Sequence, residues 1–315
     1  MEKNEMFKML CISKQKKIAV AIVLVLIVLC AVLIYLSRFD YWIGDYKYHF
    51  YLDSRKVYIL DYRGEAEVLS IPQKVGPFSV GYIEPHIFDE NEYIEEVVVG
   101  KNNGQVFFSN CKNLETISFE DNIKVLNYAF SGCNKIKAVN FPEGIEQITM
   151  GFHDCMGLSD VYIPKSVVKI SRMAFQGTQF EKNHLNDKYY VAGNDILVFC
   201  NIDLTDDVVI PDGIKNCCVY LIAADEYSDR KIYYPETLEY MEGVVFAEDT
   251  VFFGGEDFVE INIRCEGLIV APDDSPMAKY CKENNLNFRP MTKKEEKEWR
   301  EKTEAAASEI TYQEE

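Results

Sequence analysis

Between Leu114 and Gln179 apolar side chains return at a fixed spacing. Three segments align: LETISFEDNIKVLNYAFSGCNK from Leu114, IKAVNFPEGIEQITMGFHDCMG from Ile136 and LSDVYIPKSVVKISRMAFQGTQ from Leu158. The recurring positions are Leu114/Ile136/Leu158, Ile117/Val139/Val161, Phe119/Phe141/Ile163, Leu126/Ile148/Ile170 and Phe130/Phe152/Phe175, with a Cys at 111, 133 and 155. By subtraction the period is 22, lengthening to 23 at the last Phe. Each unit opens L-x-x-[IV]-x-[FI], and its closing alternation is the mark of a short strand with one buried face. A Pro follows at Pro142 and Pro164, as also in Ile71-Pro72, Ile210-Pro211 and Tyr234-Pro235, and a residue without an N–H ends a ladder. Two further anchors, about seven and eleven or twelve residues on, predict the returning half of a coil. One coil cannot bury its own apolar edge, so the pattern predicts stacked coils, a solenoid.

A second pattern is continuous rather than periodic. Residues Ile18 to Ser37, IAVAIVLVLIVLCAVLIYLS, carry no charge, and 20 residues at about 1.5 Å each match a bilayer core of roughly 30 Å. Upstream stand Lys3, Lys8, Lys14, Lys16 and Lys17 against Glu2 and Glu5, a balance of +5 − 2 = +3. The whole chain carries −18, so the remainder carries −21. That asymmetry predicts an uncleaved single-pass anchor with the N-terminus cytoplasmic and the body outside. A cleavable signal needs a short apolar core and an A-x-A-like site, which Leu33-Ile34-Tyr35-Leu36 does not supply. Leu29 before Cys30 is likewise wrong for a lipoprotein site.

The repeat units resemble the BspA-like, or Treponema-type, leucine-rich repeat, L-x-x-[IV]-x-[IL]-P-x-x-[IV]-x-x-I-x-x-x-A-F-x-x-C. Ala129-Phe130 with Ser131-Gly132-Cys133, and Ala174-Phe175 with Gln176-Gly177, follow it closely. Tyr48 to Ser70 resembles the hairpin cap that opens such arrays, Tyr189 to Gly213 their inserted hairpin, and Ser275 to Phe288 their closing segment. The resemblance spans about residues 46–290. It implies a β-rich solenoid of right-handed coils of about 22–23 residues, and a role in recognition or adhesion toward host, matrix or neighbouring-cell proteins. Departures are visible. Ile83 to Gly104 is off register, Gly151 replaces Ala before Phe152, Cys217-Cys218 and Leu221-Ile222 replace standard positions, and Val251 to Val270 loses the period.

The expected organisation is therefore a basic tail (1–17), an anchor (18–37), a linker and capping hairpin (38–70), a solenoid (71–290) with a hairpin near 187–209, and a charged tail (291–315). The tail sequence KKEEKEWREKTEAAASE is rich in helix formers with one large apolar residue, Trp299, and predicts an exposed helix or frayed end, with a partner-docking helix as the alternative.

Chemistry is sparse by comparison. The 33 Lys+Arg against 51 Asp+Glu argue against a nucleic-acid partner. Phosphate-loop, dinucleotide and nucleophile-elbow motifs are missing, and His49, His86, His153 and His184 show no paired spacing, so neither catalytic residues, cofactors nor metal ligands are assigned. Cys111, Cys133 and Cys155 read as a packed thiol ladder, with a disulfide or a metal site as alternatives. Asp203 to Asp207 reads as an acidic turn. The functional candidate is the strand face, whose outward columns are Thr116, Ala138, Asp160 and Ser118, Asn140, Tyr162, with Val209 and Tyr233 extending the second. A protein ligand is expected there. A self-associating or accessory envelope component is the alternative, and a cell-envelope enzyme the remoter one.

Overall fold

A computed structural model of the chain describes residues 18–29, 31, 38–101, 105–171, 173–202, 207–217, 230–246, 250–253, 260–265 and 267–314. The basic tail (1–17), most of the acidic turn (203–206), and the 218 and 221–222 departures lie outside the described residues. Residues 18–29 are helical (α1), and Cys30 and residues 32–37 of the expected anchor lie outside the described residues. Among the described residues no helix is long and apolar enough to cross a membrane.

The described residues fall in two compact units. The first holds a five-stranded sheet in the spatial order Asp40–Ile43, Tyr46–Tyr51, Lys56–Tyr62, Phe78–Ile83, Lys74–Val75. Its first three strands form an antiparallel meander, and Lys56–Tyr62 runs parallel to Phe78–Ile83. Alternation explains its layering: Val57, Ile59 and Ile83 are buried, while Tyr58 and Tyr82 face the other side.

The second unit is the solenoid. One parallel ladder joins Val68–Ser70, Glu96–Val99 and Thr116–Phe119, and Ala138–Asn140 pairs in the same sense with Asp160–Tyr162. A second ladder, on the returning half of the coils, joins Val125–Leu126, Gln147–Ile148 and Lys169–Ile170. The expected hairpin is Tyr189–Ala192 against Ile196–Cys200. Beyond it the first ladder resumes through Val208–Val209, Lys231–Tyr233, Thr250–Phe252, Leu268–Ala271 and Phe288–Pro290.

The two stretches that break the period in sequence are in register in space. Val97 pairs with Ile117, a step of 20, and Ile94, Val97 and Val99 are fully buried, so Ile83 to Gly104 contains a coil. At the other end Ile232, Val251, Ile269 and Phe288 are partners at steps of 19, 18 and 19. Hydrogen-bonded ladders fix only the strands, so the connecting turns can shorten by several residues without disturbing the stack.

Between the ladders runs a column of rings. Phe88, Phe108, Phe130, Phe152 and Phe175 stack at centroid distances of 5.0, 5.5, 5.2 and 6.1 Å, and Phe180 closes the column edge-on. Two residues after each ring the chain turns through the left-handed region, at Glu90, Asn110, Gly132, Asp154 and Gly177. At Gly132 that conformation is free of the penalty a β-carbon brings. The same corner forms a backbone ladder, with Asn110 N donating to Ser131 O and Gly132 N to His153 O. The cysteine one residue further on completes the motif. Cys111, Cys133 and Cys155 are fully buried free thiols, and their Sγ atoms donate to the carbonyls of Phe88, Phe108 and Phe130 one coil back, at 3.2, 2.9 and 2.8 Å. The neighbouring Cys111 thiol and burial raise Cys133, and burial pushes Cys155 up to about 12, so both stay protonated at neutral pH.

Gly151, the departure from Ala, has a steric cause. A β-carbon there would meet Ala174 O at 2.5 Å and Ala174 Cα at 2.7 Å, both backbone of the next coil. Restoring the consensus by Gly151→Ala should therefore destabilise the solenoid by about 1–3 kcal/mol, read as a lower urea midpoint.

Candidate functional site

The strand face divides into an open part and a covered part. In the open part Thr116, Ala138, Asn140, Asp160 and Tyr162 are exposed while Val139 and Val161 between them are buried, as alternation requires. Ser118 is half-buried because its hydroxyl donates to Glu96 one coil back. Six of the eight expected residues thus share one face, joined by Glu96, which the sequence reading did not include. Ala138 and Asn140 stand directly beside Asp160 and Tyr162 in the ladder. The face offers hydroxyl, amide and carboxylate groups around one large ring, a surface suited to hydrogen bonding and to burying an aromatic contact.

Val209 and Tyr233 are placed differently from expectation. Tyr233 is only 2% exposed and Val209 is half-buried, because the C-terminal helix lies across them. The charged tail is neither frayed nor free. It forms a 15-residue helix, Lys293–Ala307 (α4; α2, Gln179–Asn183, and α3, Pro276–Glu283, precede it in the chain). Its start is fixed by a capping box between Thr292 and Glu295. Arg289 grips the Glu295 carboxylate with both arms at 2.6 and 3.0 Å, and this pairing, with the Thr292 bonds, holds Glu295 at about 2.

Trp299, Thr303 and Ala306, at i, i+4 and i+7, form the buried stripe of α4. Trp299 is 1% exposed and packs with Tyr233, Phe252 and Val270, and its Nε1 donates to Tyr234 O at 2.8 Å. Polar contacts frame the ring. Arg300 pairs with Glu236, and Lys302 reaches Asp207 at 3.4 Å and the Tyr233 hydroxyl at 3.1 Å. The Lys302 ammonium also stands 4.3 Å from the Tyr233 ring centre, a cation–π contact.

Past α4 the chain runs back along the solenoid. Ile310–Tyr312 pairs in parallel with Tyr189–Val191 of the hairpin. Gln313 then uses its side-chain amide to bond both Ile163 N and Ile163 O, at 3.0 and 3.1 Å. The tail therefore borders the open face immediately beyond Tyr162.

The titratable groups elsewhere are paired locally rather than convergent. His49 contacts Asp40 at 2.9 Å, His153 contacts Asp154 at 3.1 Å and His184 contacts Asp187 at 2.7 Å. Among the described residues no group of three His, Cys, Asp or Glu is arranged to hold a metal ion.

Stacked parallel coils with a strand face, an aromatic column and a thiol at the corner define a leucine-rich-repeat β-solenoid. The family model for the BspA-type leucine-rich repeat region matches in overlapping stretches, 69–182, 101–224 and 127–251, which together span 183 of the 315 residues. The chain belongs to the BspA-type leucine-rich repeat family. Two solved structures are similar at low identity. One is a leucine-rich cell surface protein from Faecalibacterium prausnitzii A2-165, 15% identical, covering 82% of this chain and 97% of that one, with a TM-score of 0.33. The other is the pneumococcal vaccine antigen PcpA, 10% identical, covering 88% and 99%, with a TM-score of 0.35. No curated protein matches the sequence.

Proposed function

We propose that this chain is a membrane-anchored bacterial surface protein that binds a protein ligand through the open part of its strand face, without covalent chemistry. The observation that carries the reading is the division of that face. Thr116, Ala138, Asn140, Asp160 and Tyr162 are left open, while the equivalent surface around Tyr233 is filled by α4. Solenoids bind through such stacked columns, and Tyr162 is the residue type that carries binding energy when a partner encloses it. The anchor is the apolar run Ile18 to Ser37, with the basic tail inside and the repeats outside. Its support is α1, whose large side chains from Ile18 to Leu29 are each 51–60% exposed, a state that calls for an apolar surrounding.

The test is binding of the full chain, reconstituted in nanodiscs, to immobilised extracellular-matrix and cell-surface proteins. Asn140→Ala, Asp160→Ala and Tyr162→Ala together should weaken the captured interaction about tenfold or more. Unchanged binding by that triple variant would remove this face from the reading. Protease protection of residues after Tyr41 on the cytoplasmic side would overturn the topology.

A further inference from the structure

The edge strand Asp40–Ile43 is unusual for a sheet edge facing water. Phe39, Trp42 and Ile43 are 48, 38 and 50% exposed, and alternation puts Trp42 on one face of the strand and Ile43 on the other. Edges of soluble sheets are normally blunted by charge or Pro, since an apolar edge invites association. Trp42 and Ile43 stand at the hairpin tip, where Gly44-Asp45 links Ile43 to Tyr46, and Phe39 precedes the other end of the strand. Arg63 sits on the same tip: its backbone N donates to Asp45 O at 2.9 Å and its Nη2 to Gly44 O at 3.4 Å. Its guanidinium lies 4.3 Å from the centre of the Trp42 ring. Lys47, opposite Trp42 in the hairpin, is paired with Asp40 at 3.6 Å, which leaves Arg63 as the cation of the tip.

We infer that this edge strand lies in the headgroup layer of the membrane, with Phe39, Trp42 and Ile43 embedded and Arg63 facing the lipid phosphates. The inference rests on the anchor reading above. Within that reading its support is chain reach. Phe39 follows Ser37 by two residues and Trp42 by five, so at about 3.5 Å per residue they lie no more than roughly 7 and 17 Å beyond the apolar run. The headgroup layer occupies about 5–8 Å on each side of the hydrocarbon core, so Phe39 stands within its reach, and a strand that turns along the layer keeps Trp42 and Ile43 in it. Trp is the side chain most at home there, with an apolar body and one N–H, and an Arg stacked on it carries its charge toward the phosphates. Residues that would be a liability on a free edge become a second, shallow attachment that limits tilting of the first unit on its anchor.

The chain supplies its own reporter. It contains two Trp, of which Trp299 is buried under α4 and Trp42 is on the tip. The full chain is reconstituted in phosphatidylcholine–phosphatidylglycerol vesicles, and the emission of Trp42→Phe is subtracted to isolate Trp42. Lipids brominated near the headgroup should quench that signal about twofold, with iodide quenching it weakly. Ile43→Asp, which leaves the sheet pairing intact, should shift the emission to longer wavelength and restore access to iodide. If the chain floats with the vesicles but Trp42 is unquenched by brominated lipid and fully open to iodide, the tip is in water and the inference is wrong. If the chain does not float with the vesicles at all, the anchor reading fails and takes this one with it.

Discussion

Trp299→Ala should release α4 from the solenoid and cost about 3–5 kcal/mol, the range for removing a large buried aromatic side chain. The ring contributes most of the apolar contact that α4 makes, since Thr303 and Ala306 are the only other buried residues of the helix. Its Nε1 also satisfies Tyr234 O, which would be left without that donor. The ion pairs that remain, Arg300 with Glu236 and Lys302 with Asp207, are a third or more exposed and hold little by themselves. Hydrogen exchange should therefore show residues 293–307 losing protection together, with Tyr233 and Phe252 becoming accessible. A variant whose α4 amides stay as protected as in the parent would show that the ring is not what holds the helix. Acid should act on the same element. Glu295 titrates at about 2 in the folded chain against 4.5 ordinarily, so its contribution is complete above about pH 4.5 and is lost as the pH falls toward 2. Loss of α4 protection should begin in that window.

Phe130→Ala, in the middle of the aromatic column, should cost about 3–5 kcal/mol and unfold neighbouring coils with it. Phe130 stacks on Phe108 at 5.5 Å and on Phe152 at 5.2 Å, and it is fully buried, so truncation leaves a void that two adjacent coils share. The same truncation at Phe119, which is only half-buried and has one ring neighbour, Phe141 at 5.8 Å, should cost distinctly less. Urea denaturation followed by far-ultraviolet dichroism distinguishes the two. Equal costs would mean that the column is not the main source of coil-to-coil cohesion.

The parts of the fold that repeat were legible in the sequence because each is carried by a residue type at a fixed place. The Phe and Cys of the corner and the strand alternation follow from spacing, whereas the hairpin within Tyr189 to Gly213 is implied only by the family resemblance. Phe108 was readable too, for Phe108-Ser109-Asn110-Cys111 has the F-x-x-C form of Phe130 to Cys133, whereas Phe88 is followed by Asp89-Glu90-Asn91 and lacks the Cys. What hid the coil at Ile94 to Val99 was a step of 20 in place of 22, and with it Glu96, the acceptor for the Ser118 hydroxyl. Opposite the buried Val208 and Ile232, alternation sets Val209 and Tyr233. Their burial was not readable, because the covering stripe of α4 has one large residue, and its receptor forms only when Phe252 and Val270 come into register through shortened turns. The open face needed no such knowledge, since Thr116, Ala138 and Asp160 stand at one position of consecutive units.

The tail strand has a consequence for cooperativity. In a plain array each coil touches only its neighbours, so stability adds up along the chain and the two ends can melt separately. Here Gln313 bonds Ile163 across a separation of 150 residues, and Ile310–Tyr312 is stitched to a hairpin in the middle of the chain. Coils that share no contact of their own are thereby made to rise and fall together. The polypeptide must also emerge past Gln313 before that stitch can close, which places it after the formation of the coils it joins.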